Sequence, residues 1–396
     1  MGLFTTKSNS KEQLIALFAI GSGSVGGALI RFTLGPDGNW APHIIAQDRT
    51  FVPFQTEFHF ETFFANMQVA LRGTADKIFH KKQGAPDSIF CTMTSPWCVS
   101  ETRKINFSKD EAFSINSKLM TDMINAELSN ILDFYGDKYK GMDSEPYLME
   151  SKVIHTKLNG YDIENPIGMK AKSIKINLFA SICPSVSISD ITETLNDIFH
   201  NREINFGSFL FSMLIVAREK LPQESSYFMI DINAELTDVG IVNNGILVAT
   251  ISFPMGKNYI IRSIVKELNK TESEARSLFA MMISGTISEG EKLKLDPILA
   301  SIKTEWTKLL KNSLDSLPQT ISTSSNVFLV ADLDSATWFA SFLSDKSYTQ
   351  QALNQKYFNI VTMNGQKLLD VCKVSDGTCD QFLMMEAIAL ARMLPK

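Results

Sequence analysis

The 396-residue chain carries 43 acidic side chains against 38 lysines and arginines, which gives a formal net charge of −5. Hydrophobic residues make up 44% of it and charged residues 20%, which excludes disordered, collagen-like and coiled-coil proteins and disfavours nucleic-acid binding through bulk charge. At about 100–200 residues per domain, the length predicts two to four domains.

The sequence predicts neither a membrane span nor a secretory signal. The longest apolar stretches, Ile15–Phe32 and Phe206–Ala217, are interrupted by glycine and serine or are shorter than the roughly 20 residues that a bilayer requires. The polar N-terminus, Met1–Glu12, has no apolar run followed by a small-residue cleavage site. Five cysteines without a CxxC pair and five scattered histidines predict free thiols in a reducing cytoplasm and no zinc site.

The first patterned segment, Gln13–Phe32, consists of two apolar runs joined by a glycine-serine turn, which predicts a β-hairpin. Apolar residues then recur at helical spacing through Thr56–Phe79. The polar stretch Lys81–Asp87 predicts a linker, and the strand and helix patterns from there to His200 predict a small α+β unit. An apolar helix is predicted at Gly207–Lys220.

A second hairpin is predicted at Phe228–Phe253, with its turn at Asn244-Gly245. Hairpin, helix and inserted material thus occur twice, which indicates an internal duplication. Helices are predicted near Asn258–Leu268 and from Thr271, where a capping box begins the helix. The remaining patterns predict a Lys-rich helix, a strand, a helix, a strand and a terminal helix, at Glu289–Leu317, Val327–Val330, Ser335–Leu343, Phe358–Thr362 and Gln381–Leu394.

The turn of the first hairpin, Gly21–Gly26, has the sequence GSGSVG and matches the G-x-G-x-x-G pattern of dinucleotide-binding folds. That fingerprint requires a following helix whose N-terminus faces the pyrophosphate, but here a Gly-Pro turn follows within about nine residues. The alternative is a hairpin whose exposed backbone N–H groups cradle a phosphate. The pattern therefore favours phosphate-binding hairpins over a Rossmann fold.

Two opposed hairpins hold the nucleotide in actin-like ATPases, and the second hairpin makes the resemblance specific. Ile230–Asp238 (IDINAELTD), followed by Asn244-Gly245 and Ser252–Gly256, resembles the second phosphate motif and downstream strand of the FtsA and PilM branch of that superfamily. His155–Lys172, with its string Asn165–Met169, resembles a segment of the small subdomain inserted into FtsA. The resemblance covers essentially the whole chain and implies a two-lobed, duplicated actin-like α/β fold with an inserted α+β subdomain.

This resemblance implies a division of the chain into four parts. Residues 1–86 form the first part of the first lobe, 87–200 the inserted subdomain, 201–225 the return helix of the first lobe, and 226–396 the second lobe with a helical insertion near 257–320. Both hairpins are expected to face one cleft. The terminal helix is apolar nearly all round and is expected to be a core helix rather than a membrane anchor.

The residues that hold nucleotide and metal in the family are altered here. The family's aspartate in the first hairpin falls on Ala19, and the glycines of its second hairpin fall on Asn233 and Ala234. Its ribose-contacting Ala-Glu-x-x-Lys pattern falls on Ala275–Phe279, where the glutamate and lysine are replaced. Its double glycine beside the adenosine falls on Ala331-Asp332.

The resemblance still assigns ten positions to nucleotide binding, namely Gly21, Ser22, Gly23, Ser24, Asp231, Asn233, Thr237, Gly256, Arg276 and Asp332. Asp231 is also the candidate metal ligand, and no catalytic residue is assigned. Losing two or three charge-assisted hydrogen bonds of roughly 1.5–3 kcal/mol each weakens binding at least about a hundredfold. ATP and magnesium are therefore disfavoured, although Asn233 tolerates the turn conformation and Arg276 can meet a phosphate in another pose.

The resemblance implies a cytoplasmic actin-like scaffold or adaptor of a membrane-associated machine, either type IV pilus assembly or cell division. Self-assembly or binding of a membrane-protein tail is expected through the inserted subdomain, with no nucleic acid and no direct membrane insertion. FtsA carries a membrane helix beyond its last core helix, whereas this sequence stops at Lys396, which favours a PilM-like protein held at the membrane by a partner. The alternative is an active actin-fold ATPase or small-molecule kinase, against which Ala19 and Ala331-Asp332 argue.

Overall fold

The computed structural model describes residues 11–139, 144–318, 324–346 and 358–395, which form fifteen strands and nine α-helices. The strands are β1 (Glu12–Ile20), β2 (Ser24–Leu34), β3 (Trp40–Phe51), β4 (Ser88–Met93), β5 (Val99–Ser114), β6 (Pro146–Leu158), β7 (Tyr161–Asp162), β8 (Lys170–Pro184), β9 (Glu203–Ser208), β10 (Tyr227–Ile232), β11 (Thr237–Asn243), β12 (Ile246–Phe253), β13 (Asn326–Ala331), β14 (Asn359–Thr362) and β15 (Lys373–Val374). The helices are α1 (Phe60–His80), α2 (Ser117–Tyr139), α3 (Ser185–Phe199), α4 (Phe209–Lys220), α5 (Lys257–Leu268), α6 (Glu272–Ser284), α7 (Glu289–Asp315), α8 (Leu333–Leu343) and α9 (Gln381–Met393).

The described strands form three sheets. The six-stranded sheet has the order β15-β3-β2-β1-β4-β9, the five-stranded sheet the order β12-β11-β10-β13-β14, and the four-stranded sheet the order β5-β8-β6-β7. This mixed α/β architecture agrees with the fold class expected from the sequence.

The two larger sheets are built by the same pairing scheme. β1 pairs antiparallel with β2 and parallel with β4, while β10 pairs antiparallel with β11 and parallel with β13. All six residues of β10 and residues Ile15–Phe18 of β1 are buried. Strands covered on both faces read as continuous apolar runs, which is how both hairpins were visible in the sequence. The repeated scheme agrees with an internal duplication.

Strand pairing divides the chain at other residues than those expected. The four-stranded sheet takes residues 99–184 rather than 87–200, because β4 belongs to the six-stranded sheet and α3 packs against α1. Residues 203–208 form β9 beside β4, so the following helix begins at Phe209 and not at Gly207. After residue 365 the chain returns to the first sheet, because β15 pairs with β3 and α9 packs against α4 and β3. The range expected as the second lobe, 226–396, thus includes elements that contact the first sheet.

The terminal helix α9 is enclosed by the largest hydrophobic cluster of the chain. Leu383, Met384 and Leu390 are fully buried and Ile388 is 1% exposed, in contact with the apolar residues of β1, β2, β3 and α4. None of the helices in the described ranges is long and apolar enough to cross a bilayer. The burial of α9 agrees with the core position that the sequence predicts for this helix.

Truncating a buried side chain of α9 tests how much stability this packing contributes. We expect Ile388→Ala to lower the free energy of unfolding by about 2–5 kcal/mol, because the lost contacts leave a cavity. The control is Leu293→Ala on α7, whose side chain is 74% exposed and whose loss should stay within about 0.5 kcal/mol. Urea unfolding followed by circular dichroism measures both, and equal small losses would contradict the packing of α9.

Candidate functional site

Both hairpins line one cavity of about 590 Å³. The first hairpin contributes its turn and the second contributes Ile232, Asn233 and Ala234. The ends of β3 and β4 and the N-terminal parts of α4, α5, α6 and α9 complete its walls. The cavity lies where the carboxyl ends of β1, β4, β10 and β13 meet. Ligands bind at this edge of open α/β sheets.

The turns of the two hairpins touch each other at the floor of this cavity. A methyl group added to Gly23 would lie 2.5 Å from Cβ of Ala234, so the first turn has no room for a side chain here. The backbone N–H of Glu235 donates to Oγ of Ser22 at 3.1 Å. Ala234 stands where the family has a glycine, and its methyl group fills space beside the first turn.

The first backbone N–H groups of α5 bond to the second hairpin, although the side chains at this helix start line the cavity. The backbone N–H groups of Lys257 and Asn258 donate to the carbonyl oxygens of Asn233 and Ala234, at 3.0 and 2.7 Å. A Cβ at Gly256 would lie 2.3 Å from the carbonyl oxygen of Asn233, so the close approach requires glycine. Two of the unpaired N–H groups with which a helix start holds a phosphate are therefore already used.

Each basic side chain that lines the cavity is paired with a carboxylate. Arg49 forms a bidentate pair with Asp380, with Nε and Nη2 at 2.7 and 2.9 Å from the two oxygens. Lys257 contacts Asp334 closely and Asp332 at 3.4 Å. The third basic residue, Arg276, pairs with Glu272 at 2.7 Å.

The cavity is consequently balanced in charge. Carboxylates of Asp380, Asp332, Asp334 and Glu272 neutralise its three basic residues, which are Arg49, Lys257 and Arg276. A site that holds a triphosphate presents an excess of positive charge and free backbone donors. The residues present do not fit a magnesium triphosphate held by hairpin donors and basic side chains.

Two aromatic rings, those of Phe54 and Phe382, also line the cavity. The guanidinium groups of Arg276 and Arg262 lie 5.4 and 5.9 Å from the ring centre of Phe54, and that of Arg49 lies 5.6 Å from the ring centre of Phe382. Such cation–π contacts add to the ion pairs in fixing the guanidinium groups. The two rings add an apolar part to the cavity lining.

The structure brings together six of the ten residues that the resemblance assigned to nucleotide binding. Gly21, Gly23, Ser24, Asn233, Arg276 and Asp332 line the cavity. Ser22, Asp231, Thr237 and Gly256 lie behind its surface. Thr237 is fully buried, where its hydroxyl donates to the carbonyl oxygen of Met255 at 2.7 Å and accepts from Trp306 at 3.2 Å.

Asp231, the candidate metal ligand, is 1% exposed and does not line the cavity. Burial raises the pKa of its carboxyl well above the ordinary range, and the neighbouring carboxylate of Asp238 raises it further. The amide of Asn233 donates to it at 2.8 Å. A carboxyl that retains its proton is a poor metal ligand, and the described residues contain no group of three acidic, histidine or cysteine side chains placed to hold a metal ion.

Sequence reasoning missed two functional features of the cavity wall. The Arg49–Asp380 pair joins residues 331 positions apart, and the only local signal is Asp380 in front of the apolar terminal run, where its carboxylate caps α9 by accepting from Phe382 and Leu383. Glu386 lies fully buried within that apolar run. An acidic residue surrounded by apolar neighbours on a core helix is the signal that could have found it.

Glu386 lines the cavity, and its carboxyl is largely protonated at neutral pH. Its Oε2 accepts from Oγ of Ser212 at 2.6 Å. Burial raises the pKa of its carboxyl to about 8, and the hydroxyl groups of Ser212 and Thr92 offset part of this effect.

Replacing this acid by its uncharged analogue tests the protonation state. The folded chain holds the Glu386 proton up to about pH 8, whereas the unfolded chain releases it near 4.5. The stabilisation that the bound proton provides is complete below that value and is lost as the pH rises towards 8, at about 1.4 kcal/mol per pH unit. We expect Glu386→Gln to remove this part of the slope when urea unfolding is measured at several pH values.

The matched control is Glu111→Gln, whose side chain is exposed on β5 and whose loss should leave the wild-type slope unchanged. A Glu386→Gln variant with the wild-type slope would contradict the buried neutral acid.

Comparison with known proteins identifies the fold through solved structures, since no protein-family model and no curated protein matches the chain. A chain of the PilM-PilN type IV pilus biogenesis complex matches with a TM-score of 0.59 and 13% sequence identity over 98% of both chains. The ethanolamine utilization protein EutJ from Carboxydothermus hydrogenoformans matches with a TM-score of 0.43 and 8% identity, over 98% of this chain and 92% of EutJ. A Bacteroides thetaiotaomicron protein with actin-like ATPase fold and unknown function matches with a TM-score of 0.38 and 9% identity, over 98% and 99%.

The match to the pilus complex concerns the arrangement of the whole chain. A TM-score of 0.59 over 98% of both chains means that the main elements follow one another in the same arrangement. At 13% identity this likeness establishes the fold and not the ligand or the chemistry, because one fold hosts many functions. The fold expected from the sequence is confirmed at this level: the chain has an actin-like α/β fold.

Proposed function

We propose that this chain is a cytoplasmic actin-like scaffold or adaptor of a membrane-associated machine, and that its cleft has lost most of its affinity for magnesium nucleotides. The observation that carries the proposal is the internal pairing of Arg49, Lys257 and Arg276, the three basic residues of the cavity. Of the two machines considered, pilus assembly is favoured over cell division, because the matched chain of the same fold belongs to a pilus biogenesis complex.

The energetic argument concerns what a polyphosphate would have to displace. The Arg49–Asp380 pair is largely removed from water, since its side chains are 21% and 14% exposed. Lys257 is itself 13% exposed, but its partners Asp332 and Asp334 are about half exposed. To bind phosphate, Arg49 would leave Asp380 uncompensated, at a cost of roughly 1.5–3 kcal/mol for each charge-assisted bond, while separating Lys257 from its more exposed partners would cost less. The new contacts would first have to offset this loss, which lowers affinity by one or more orders of magnitude.

A scaffold requires surfaces for partners, and the four-stranded sheet supplies the candidate. It is joined to the remainder of the fold mainly where β5 meets β12 and where β6 meets β9. The solved PilM-PilN structure shows that a protein of this fold assembles with another protein. We assign the corresponding partner contact of this chain to the inserted sheet, which would hold the protein at the inner face of a membrane through that partner.

The proposal predicts that the purified protein does not turn over ATP. In this class of chemistry a metal stabilises the transferred phosphoryl group and a water is held in line. Ala19 has no side-chain oxygen for that metal, and the carboxyl of Asp231 is buried behind the cavity surface. Magnesium-dependent phosphate release should equal the background, and about 1 mM magnesium ATP should leave the thermal unfolding temperature unchanged. A hydrolysis rate that disappears in Asp231→Ala would support the ATPase alternative and overturn this reading.

The proposal also predicts that lipid alone does not bind the protein. Leu383, Met384, Ile388 and Leu390 of α9 would have to leave the core to enter a bilayer, which would cost roughly 1.5–3 kcal/mol each, about 6–12 kcal/mol in total. In flotation with phosphatidylglycerol vesicles the protein should stay in the bottom fraction. Flotation with lipid alone that is lost on deleting Gln381–Lys396, with the rest still folded, would refute the core assignment and the adaptor together.

A further inference from the structure

The four-stranded sheet has one apolar and one basic face. Helix α2 covers the first, where Ile174 and Ile176 are buried. The second carries a groove of about 410 Å³. We call this surface the basic face, and its polar residues are Lys104, Asn106, His155, Lys157, Lys175 and Asn177.

Strand register places the lysines of the basic face next to one another. Lys175 of β8 lies directly opposite Lys157 of β6 and opposite Asn106 of β5. Lys104 lies opposite Asn177, and so is a diagonal neighbour of Lys175. Like charges directly opposite each other on adjacent strands destabilise a sheet.

One acidic residue of the sheet, Asp162, neutralises part of the positive charge on the basic face. Asp162 of β7 lies 2.9 Å from Nε2 of His155 and 3.1 Å from Nζ of Lys157. Lys104 and Lys175 are exposed, and neither forms an ion pair with any residue in the described ranges. The packing of α2 on the other face does not require lysine at these positions, so their cost to stability points to a ligand that carries negative charge.

We propose that the basic face binds an acidic, extended segment of a partner protein. The proposal rests on the proposed adaptor function, since it names the chemistry of the partner that the inserted sheet would bind. Lys104 and Lys175 would pair with carboxylates of the segment. The side-chain amides of Asn106 and Asn177 would supply neutral donors and acceptors for its peptide groups.

Charge and lining residues favour a short acidic peptide over larger polyanions. The chain as a whole has a net charge of −5, so a nucleic acid or bilayer that extended past the groove would face repulsion. The described residues that line the groove include no aromatic side chain on which a base could stack, and the side chain of Ile176, the one apolar residue among them, is buried on the opposite face. Binding at a membrane interface uses a broad apolar face, which this surface lacks.

The test uses a fluorescein-labelled peptide of three Asp-Ser-Glu-Gly repeats, with three Asn-Ser-Gln-Gly repeats as the uncharged control. Fluorescence anisotropy with the full chain should show binding of the acidic peptide that weakens between about 0.05 M and about 0.3 M salt. The double variant Lys104→Gln/Lys175→Gln should bind about tenfold more weakly. The matched variant Lys308→Gln/Lys311→Gln, which removes the same charge from an exposed part of α7, should stay within about twofold of wild type.

The groove variant, Lys104→Gln/Lys175→Gln, is expected to fold, because removing Lys175 relieves its repulsion with Lys157. The groove variant should unfold at no lower urea concentration than wild type. Equal binding by both double variants, or no binding of the acidic peptide at low salt, would overturn the proposal. So would tighter binding of phosphatidylserine vesicles or single-stranded DNA that is lost in the groove variant, since the face would then serve another polyanion.

The outcome is separable from that of the proposed function. Peptide binding by a protein that also hydrolyses ATP would refute the inactive cleft and leave the basic face in place. An inactive cleft without peptide binding would refute the peptide-binding role of the basic face and leave the inactive cleft in place.

Discussion

The contact between the two hairpin turns is the constraint on which the candidate site depends. Gly23 approaches Ala234 so closely that no side chain fits at position 23, and Ser22 accepts a hydrogen bond from the second hairpin. The second turn is held in place by the first N–H groups of α5, which approach it closely because of Gly256. The N–H of Glu235 thus joins the two halves of the fold, while those of Lys257 and Asn258 fix the second turn, so none of these three donors is free to hold an anion.

Buried carboxyls make further junctions of the same kind. Asp238 of β11 accepts from Ser95 at 2.7 Å, Glu150 of β6 accepts from the N–H of Ser208 at 2.8 Å, and Glu386 of α9 accepts from Ser212 of α4. Burial raises the pKa of all three carboxyls. Each carboxyl is removed from water and forms specific hydrogen bonds to an element that is distant in the chain. Burying an acid is costly, and hydroxyl and backbone donors satisfy it without adding a charge. These bonds specify how the five-stranded sheet, the inserted sheet and the terminal helix meet the first sheet.

Under the proposed function, the cleft and the inserted sheet differ in how their charges are satisfied. The cavity retains its volume and its aromatic wall, but its charges are satisfied internally. The basic face of the inserted sheet shows the opposite condition, since Lys104 and Lys175 have no ion-pair partner among the described residues. The distribution of unsatisfied charge, more than the presence of a cavity, points to where this molecule meets other molecules.

The sequence by itself determined the two hairpins, the helix that begins at Thr271 and the terminal core helix. Those signals are local, because apolar periodicity, a capping box and turn residues act within one element. Strands such as β9 and the short β15 carry weak local patterns and exist through their pairing with β4 and β3. The tertiary structure alone decided that Arg49 meets Asp380 and that Lys157 and Lys175 lie side by side, because these residues are far apart in the chain and strand register and helix packing bring them together.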